Sequence, residues 1–157
     1  MRLLSILLIA VLWLNAQNVE IVADNFFADE KKQVTVFNGN VKIVKGKDKL
    51  FANKLTINFD KDRQPLKYIA VGDVKINMIL NNKHYYGEAQ TMIYDPVKAQ
   101  YTFLKNAFLF EKESDKKVYG DRIWVDQSSG RYEVDSDGKK PVKFIFKIED
   151  NKKEKTK

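Results

Sequence analysis

Few residues in the 157-residue sequence are equipped for chemistry. There is no cysteine, which excludes disulfides, iron–sulfur clusters, thiolate zinc sites and cysteine nucleophiles. The only histidine is His84, so a histidine-rich metal site is excluded and a Ser-His-Asp arrangement would hang on one position. His84 follows Asn81-Asn82-Lys83, a hairpin-tip composition where an exposed polar role is the ordinary one. Glu111 and Glu113 have the spacing that places two carboxylates on one strand face, as an acid–base pair requires. Nothing around them supplies the burial that would raise a carboxyl pKa. Ser128-Ser129-Gly130 reads as a turn with no base nearby. Neither a phosphate-cradling glycine loop nor a calcium-loop spacing occurs. No catalytic residue, metal or cofactor is expected, which leaves binding as the chemistry to explain.

Charge and aromatic content narrow what is bound. Lys and Arg number 28 against 21 Asp and Glu, a net charge of +7. A basic balance admits nucleic acid, but the lysines are dispersed and no nucleic-acid module is recognisable. They read better as solvated charges on sheet edges, which discourage uncontrolled strand pairing. Ten residues are Phe, so a substantial apolar surface has to be covered.

The beginning of the chain reads as an export signal. Arg2 precedes an apolar run from Leu3 to Leu14, and Ala16 offers a small residue for cleavage. The run is shorter than the roughly 20 residues that a spanning helix needs. Residues 1–16 are therefore expected to be a signal peptide, residues 17–148 the folded domain and residues 149–157 a charged tail. Export without cysteine points to the periplasm.

Beyond residue 18 the pattern has a period of two. Leu55-Thr56-Ile57-Asn58-Phe59 and Val74-Lys75-Ile76-Asn77-Met78 alternate, as half-buried strands do. Turn signals separate the runs at Gly46-Lys47, Asp60–Arg63, Asn81-Asn82, Asp95-Pro96, Ser114-Asp115, Ser128–Gly130 and Asp137-Gly138. The spacing predicts an antiparallel all-β fold without helices. The chain also repeats itself. Gly39-Asn40-Val41-Lys42-Ile43 returns as Gly72-Asp73-Val74-Lys75-Ile76, with a degraded copy at Asn106-Ala107-Phe108-Leu109-Phe110. A small residue followed by a polar one recurs at Ala23-Asp24, Ala52-Asn53, Gly87-Glu88 and Gly120-Asp121, where tight corners are expected. Leu50 and Ala52 lie on one parity, and Leu55 and Ile57 on the other, which predicts a bulge near Asn53-Lys54.

These elements resemble the OstA/LptA-like family of lipopolysaccharide transport proteins. The resemblance is carried by Ile21-Val22-Ala23-Asp24, Phe37-Asn38-Gly39-Asn40-Val41-Lys42-Ile43, Leu50-Phe51-Ala52-Asn53-Lys54-Leu55, Gly72-Asp73-Val74 and Gly87-Glu88-Ala89, over about Val19 to Val134. It implies an open antiparallel β-jellyroll built from stacked strand repeats, with a hydrophobic groove for the acyl chains of lipopolysaccharide. It also implies a bridge between an inner-membrane LptC-like protein and an outer-membrane LptD-like translocon, formed by head-to-tail association.

A roll with one apolar face per strand gathers a candidate lipid-binding set: Val41, Ile43, Leu55, Ile57, Phe59, Val74, Ile76, Met78, Met92, Tyr94, Phe108, Phe110, Ile123, Val125, Phe144 and Phe146. A packed core would use the same residue types. Edge strands from Val19 to Val22 and from Val142 to Ile148 would meet partners, through Val19, Ile21, Val142 and Ile148. Two other readings stay open: a membrane-tethered LptC-like component kept by an uncut Leu3–Leu14 segment, and a structural β-protein that binds no lipid.

Overall fold

The structure, a computed structural model, describes residues 18–149. The signal-peptide and tail expectations concern residues that lie, except for Glu149, outside those described. Among the described residues there is no helix, and the turn signals separate ten strands. The strands are β1 (Val19–Val22), β2 (Asn25–Asp29), β3 (Val34–Lys45), β4 (Asp48–Phe59), β5 (Pro65–Leu80), β6 (Lys83–Asp95), β7 (Gln100–Glu111), β8 (Lys116–Asp126), β9 (Arg131–Asp135) and β10 (Lys143–Ile145). All pairings are antiparallel and link the strands into one sheet. Strands β3 to β8 are long neighbours in chain order. Each end of the sheet carries two short strands: β1 and β2 both pair with β3, and β9 and β10 both pair with β8.

Every long strand is broken in its middle. Between Asn38↔Lys54 and Val41↔Ala52, β3 has two residues, Gly39 and Asn40, where β4 has only Asn53. The same surplus of one residue recurs in β5 at Gly72-Asp73 and in β7 at Lys105-Asn106. All six residues have positive φ, from 44° at Asp73 to 89° at Gly72. Each extra residue is a β-bulge that bends its strand and increases the local twist. Aligned across the sheet, the bulges form a corner that divides it into two leaves. The first leaf holds β1, β10 and the stretches of β3 to β8 beside them. The second holds β2, β9 and the remaining halves.

Glycine is needed at this corner for two reasons. Gly39 and Gly72 adopt left-handed φ, which costs an L-residue energy. Their missing Cβ atoms also leave room for the side chains of Asp24, in the link between β1 and β2, and of Asn53 in β4. Asn40 then donates to Asp24 Oδ2 at 3.0 Å, and the Asp24 N–H donates to the Gly39 carbonyl at 2.9 Å.

The bend puts the inner faces of both leaves into one apolar cluster. Val41, Leu50, Val74, Ile76 and Met78 of the first leaf pack with Leu55, Ile57, Ala70, Met92, Phe103 and Ile123 of the second. The phase change between Leu50 and Leu55 occurs at a register shift between Phe51 and Lys54, where the sequence placed it.

The corner also corrects the reading of the repeats. The third αL pair is Lys105-Asn106, so Ala107 takes the place of Val41 and Val74. Phe108 and Phe110 therefore point outward, where Phe108 lies against Tyr119 (4.7 Å between centroids) and Lys117 sits 5.7 Å over Phe110. In β6 the corner falls at Ala89-Gln90, because Ala89 pairs with Val74 as Ala52 pairs with Val41; Gly87-Glu88 is in regular strand. The last strand is shorter than expected and spans only Lys143–Ile145, with Val142, Phe146 and Ile148 outside it. Its pairing with β8 stops at Ile145↔Lys117, one residue short of the first residue of β8, and Pro141 lacks a donor on the other side.

Two glycine substitutions separate space from conformation. Gly130 also has positive φ, but a Cβ there would meet nothing within 4 Å. Gly130→Ala is expected to cost about 1 kcal/mol from the left-handed conformation alone. Gly72→Ala is expected to cost at least 1 kcal/mol more, because Asn53 must also move. Urea denaturation of the two variants measures the difference, and equal losses would remove the close approach from the account.

Candidate functional site

The folded sheet is open along the line of its hairpin tips, and two cavities lie between the leaves. One, of about 330 Å³, is lined by Met78, Leu80, Leu109, Val118 and Phe144 of the first leaf and by Ile123, Val125 and Tyr132 of the second. Its rim carries Lys83, Glu111, Lys116, Asp126 and Gln127. The other, of about 150 Å³, runs between Val19, Ile43, Leu50 and Ile76 on one side and Leu55, Tyr68, Met92, Tyr94 and Tyr101 on the other, with Lys45, Asp48 and Lys49 at its edge. Met78 lines both, so they are neighbouring parts of one cleft.

Most of the sequence-derived candidates face this cleft. Val41, Leu55, Ile57, Val74, Ile76, Met78, Met92 and Ile123 are buried in the shared cluster. Ile43, Phe59 and Val125 are half-buried against it, and Tyr94 lines the smaller cavity. Phe144 reaches the larger cavity from β10, and Phe146 packs on its ring with centroids 5.3 Å apart. Phe108 and Phe110 lie on the opposite face. Sequence reasoning missed Phe103, which is fully buried, as well as Tyr68, Tyr101, Leu109 and Val118. The corner register would have found them: counting from the Asn40–Asp73–Asn106 series puts Phe103, Ala107 and Leu109 on one face.

Among the edge candidates, Val19 and Ile21 lie in β1, paired with Lys45 and Ile43. Val142 and Ile148 flank β10 and are exposed. Apolar residues are exposed on the inward rows at both ends of the sheet: Val19 and Phe26 at one end, Tyr132 and Phe144 at the other.

The rim electrostatics fix the charge state of its acids. Burial alone would push the Glu111 carboxyl up, but hydrogen bonds from Lys83 Nζ (2.9 Å), the Ser114 hydroxyl (2.7 Å) and the Tyr85 hydroxyl (3.2 Å) outweigh it and hold the carboxyl below its usual range. Glu113 does not share a strand face with Glu111; it lies in the turn after β7. Contacts with the His84 side chain and backbone N–H hold its carboxyl down at about 2. Both acids are thus ionised near neutral pH, and neither is poised as a general acid. Within the cleft, burial, with Tyr94 and Asp48 nearby, pushes the Tyr101 phenol well above its usual value. Burial, with Tyr94 nearby, also raises the Tyr68 phenol.

Three comparisons place the chain among known proteins. The profile of the family described as "LptA/(LptD N-terminal domain) LPS transport protein" matches residues 20–131. Comparison with curated protein sequences finds no match. Among solved structures, the chain is similar to LptH, the LptA homologous periplasmic component of the lipopolysaccharide transport device from Pseudomonas aeruginosa. The TM-score is 0.73 at 18% identity, over 84% of this chain and 96% of that one. At that identity the likeness concerns the fold.

The tyrosines make the cleft sensitive to alkali. A phenol whose folded pKa is raised contributes stability that is intact below its unfolded pKa of about 10 and is lost as pH rises beyond it. The melting temperature is expected to fall steeply above pH ~10, and less steeply for Tyr101→Phe. Thermal melts of both proteins across that range check this; identical slopes would place Tyr101 in water.

Proposed function

The chain belongs to the LptA/LptD N-terminal-domain family of LPS transport proteins, and on that premise we propose that it is a periplasmic carrier that shields the acyl chains of lipopolysaccharide in the cleft between its leaves. The observation that carries this reading is the cleft itself. Two apolar cavities share Met78 and open along a rim of mixed charge. Acyl chains would extend the apolar cluster and bring to it the contact and dehydration that a closed core obtains from its own side chains. Lysines at the rim, Lys45, Lys83 and Lys116 among them, suit an anionic head outside. Nothing in this role requires bond chemistry on the protein; a partner supplies the energy for directed movement.

The exposed sheet ends support a second part of the reading, a bridge. Two strand edges at each end offer unpaired N–H and C=O groups, and the neighbouring apolar residues need covering. Strand addition at β1 and beside β10 would satisfy both needs. An LptC-like protein and an LptD-like translocon would take the two ends, with further copies of this chain between them. Unlike ends that complement each other give open stacks rather than closed dimers.

Photo-crosslinking tests the carrier reading. Crosslinkers at Ile57, Ile76 and Phe103 are expected to capture lipopolysaccharide in cells, and one at the outward Phe108 is not. Capture at Phe108 alone, or at none of the four, contradicts it. Light scattering tests the bridge: mean mass should rise with protein concentration, and removal of residues from Val142 onward should weaken the rise. A strict monomer up to millimolar concentration for both proteins would rule out head-to-tail stacking.

A further inference from the structure

We propose that a belt of tyrosine hydroxyls across the second leaf fixes the depth at which an amphiphile sits in the cleft. The proposal deepens the carrier reading and rests on it. The belt follows from register: Ile57 pairs with Tyr68, Tyr68 with Tyr94, Tyr94 with Tyr101, Tyr101 with Val125 and Val125 with Tyr132. Four tyrosines thus occupy one inward row, on strands β5, β6, β7 and β9. The rings of Tyr68, Tyr94 and Tyr101 form a continuous surface, with centroids 4.4 Å apart for Tyr94 and Tyr101 and 5.9 Å apart for Tyr68 and Tyr94, and Tyr132 stands beyond Val125 in the same row.

The position of the row gives the hydroxyls their role. One step nearer the corner, the next inward row contains Leu55, Ala70, Met92, Phe103 and Ile123, with no side-chain polar atom. Across the cleft in the first leaf, the row nearest the tips contains Lys45, Asp48, Met78, Tyr85, Glu111 and Lys116, charged except for Met78 and Tyr85. The tyrosines lie where the lining changes from hydrocarbon to charge. Phenylalanine would fill a purely packed row at lower desolvation cost, because a buried hydroxyl is penalised unless it is bonded. Tyrosine suits a place where one end of the ring is dry and the other meets polar groups. An acylated amphiphile has its own boundary of this kind, where ester and amide carbonyls join the chains to the head. The hydroxyls donate to those carbonyls, the chains lie below against Leu55, Met92 and Phe103, and the anionic head rests among the rim lysines.

The test compares hexa-acylated lipid A with N-phenylnaphthylamine, an apolar dye without carbonyls, on wild type and on the double variant Tyr94→Phe, Tyr101→Phe. Lipid A affinity is expected to fall about threefold to tenfold per hydroxyl removed, the range of one net hydrogen bond, while dye affinity stays within about twofold. Fluorine NMR of 3-fluorotyrosine protein should show Tyr68, Tyr94 and Tyr101 responding to lipid A more than to dye. Wild type binding lipid A with the variant binding it equally well would overturn the belt and leave the carrier reading standing. Parallel loss of both ligands would also overturn it, by showing that the hydroxyls serve packing alone. Wild type binding neither ligand would end the carrier reading, and the belt with it.

Discussion

One surplus residue in the middle of each of β3, β5 and β7 is the constraint on which the structure depends. Without it the strands would run straight, and an antiparallel sheet of this length would expose one apolar face along its whole extent. The surplus is accommodated as a pair of left-handed residues, backed on the neighbouring strand by a small residue at Ala52, Ala89 and Gly120. Because the bulges align, the sheet folds over along a single corner and covers its own apolar face. Each large side chain buried in this way contributes roughly 1.5–3 kcal/mol. The corner therefore creates the core and, where the leaves diverge toward their tips, the cleft.

The cleft has an order in depth that follows from distance to the corner. Small residues line the corner, where backbones approach closely. Aliphatic residues and Phe103 fill the middle, tyrosines come next, and lysines and carboxylates, the Lys83–Glu111 ion pair among them, stand at the rim. An amphiphile has the same sequence of chemistries from chain end to head. The two leaves also end differently from an ordinary sandwich, because neither end of the sheet closes. The proposed carrier and bridge would use this combination of a shielded interior and hydrogen-bonding edges left available at the ends.

Much of this was legible in the sequence, and the failures share a cause. Alternation at Leu55–Phe59 and Val74–Met78 located strands and faces, and the parity change around Asn53-Lys54 located the register shift, although the surplus residues lie on the neighbouring strands β3 and β5. Gly39-Asn40 and Gly72-Asp73 stand out in the sequence as a repeat, while the corners expected from Ala52-Asn53 and its counterparts fall on these glycine pairs instead, because glycine is the usual residue for a left-handed backbone. The third corner uses Lys105-Asn106, a pair without glycine, so the repeat Asn106-Ala107-Phe108 sets the phase of β7 one residue late. Phe108 and Phe110 changed faces for that reason, and Phe103 was overlooked. The end of β10 was unreadable for another reason. Val142 to Ile148 alternate well, but strand length depends on pairing, and the pairing with β8 stops at Ile145↔Lys117, an end that alternation does not mark. The Tyr68–Tyr94–Tyr101 row was likewise invisible, since it exists only once register aligns residues from three strands.

The central claim is that hydrocarbon from the lipid enters between the leaves, and two methionines report on it from opposite sides. Met78 belongs to the first leaf and Met92 to the second, and both are buried in the cluster. With methionine methyls labelled in an otherwise deuterated protein, nuclear Overhauser contacts to the acyl chains of added lipid A measure the occupant directly. The account predicts contacts from acyl methylenes to both Met78 and Met92. Saturable binding of lipid A that leaves both methyl signals unshifted and without contacts would place the lipid elsewhere and contradict it.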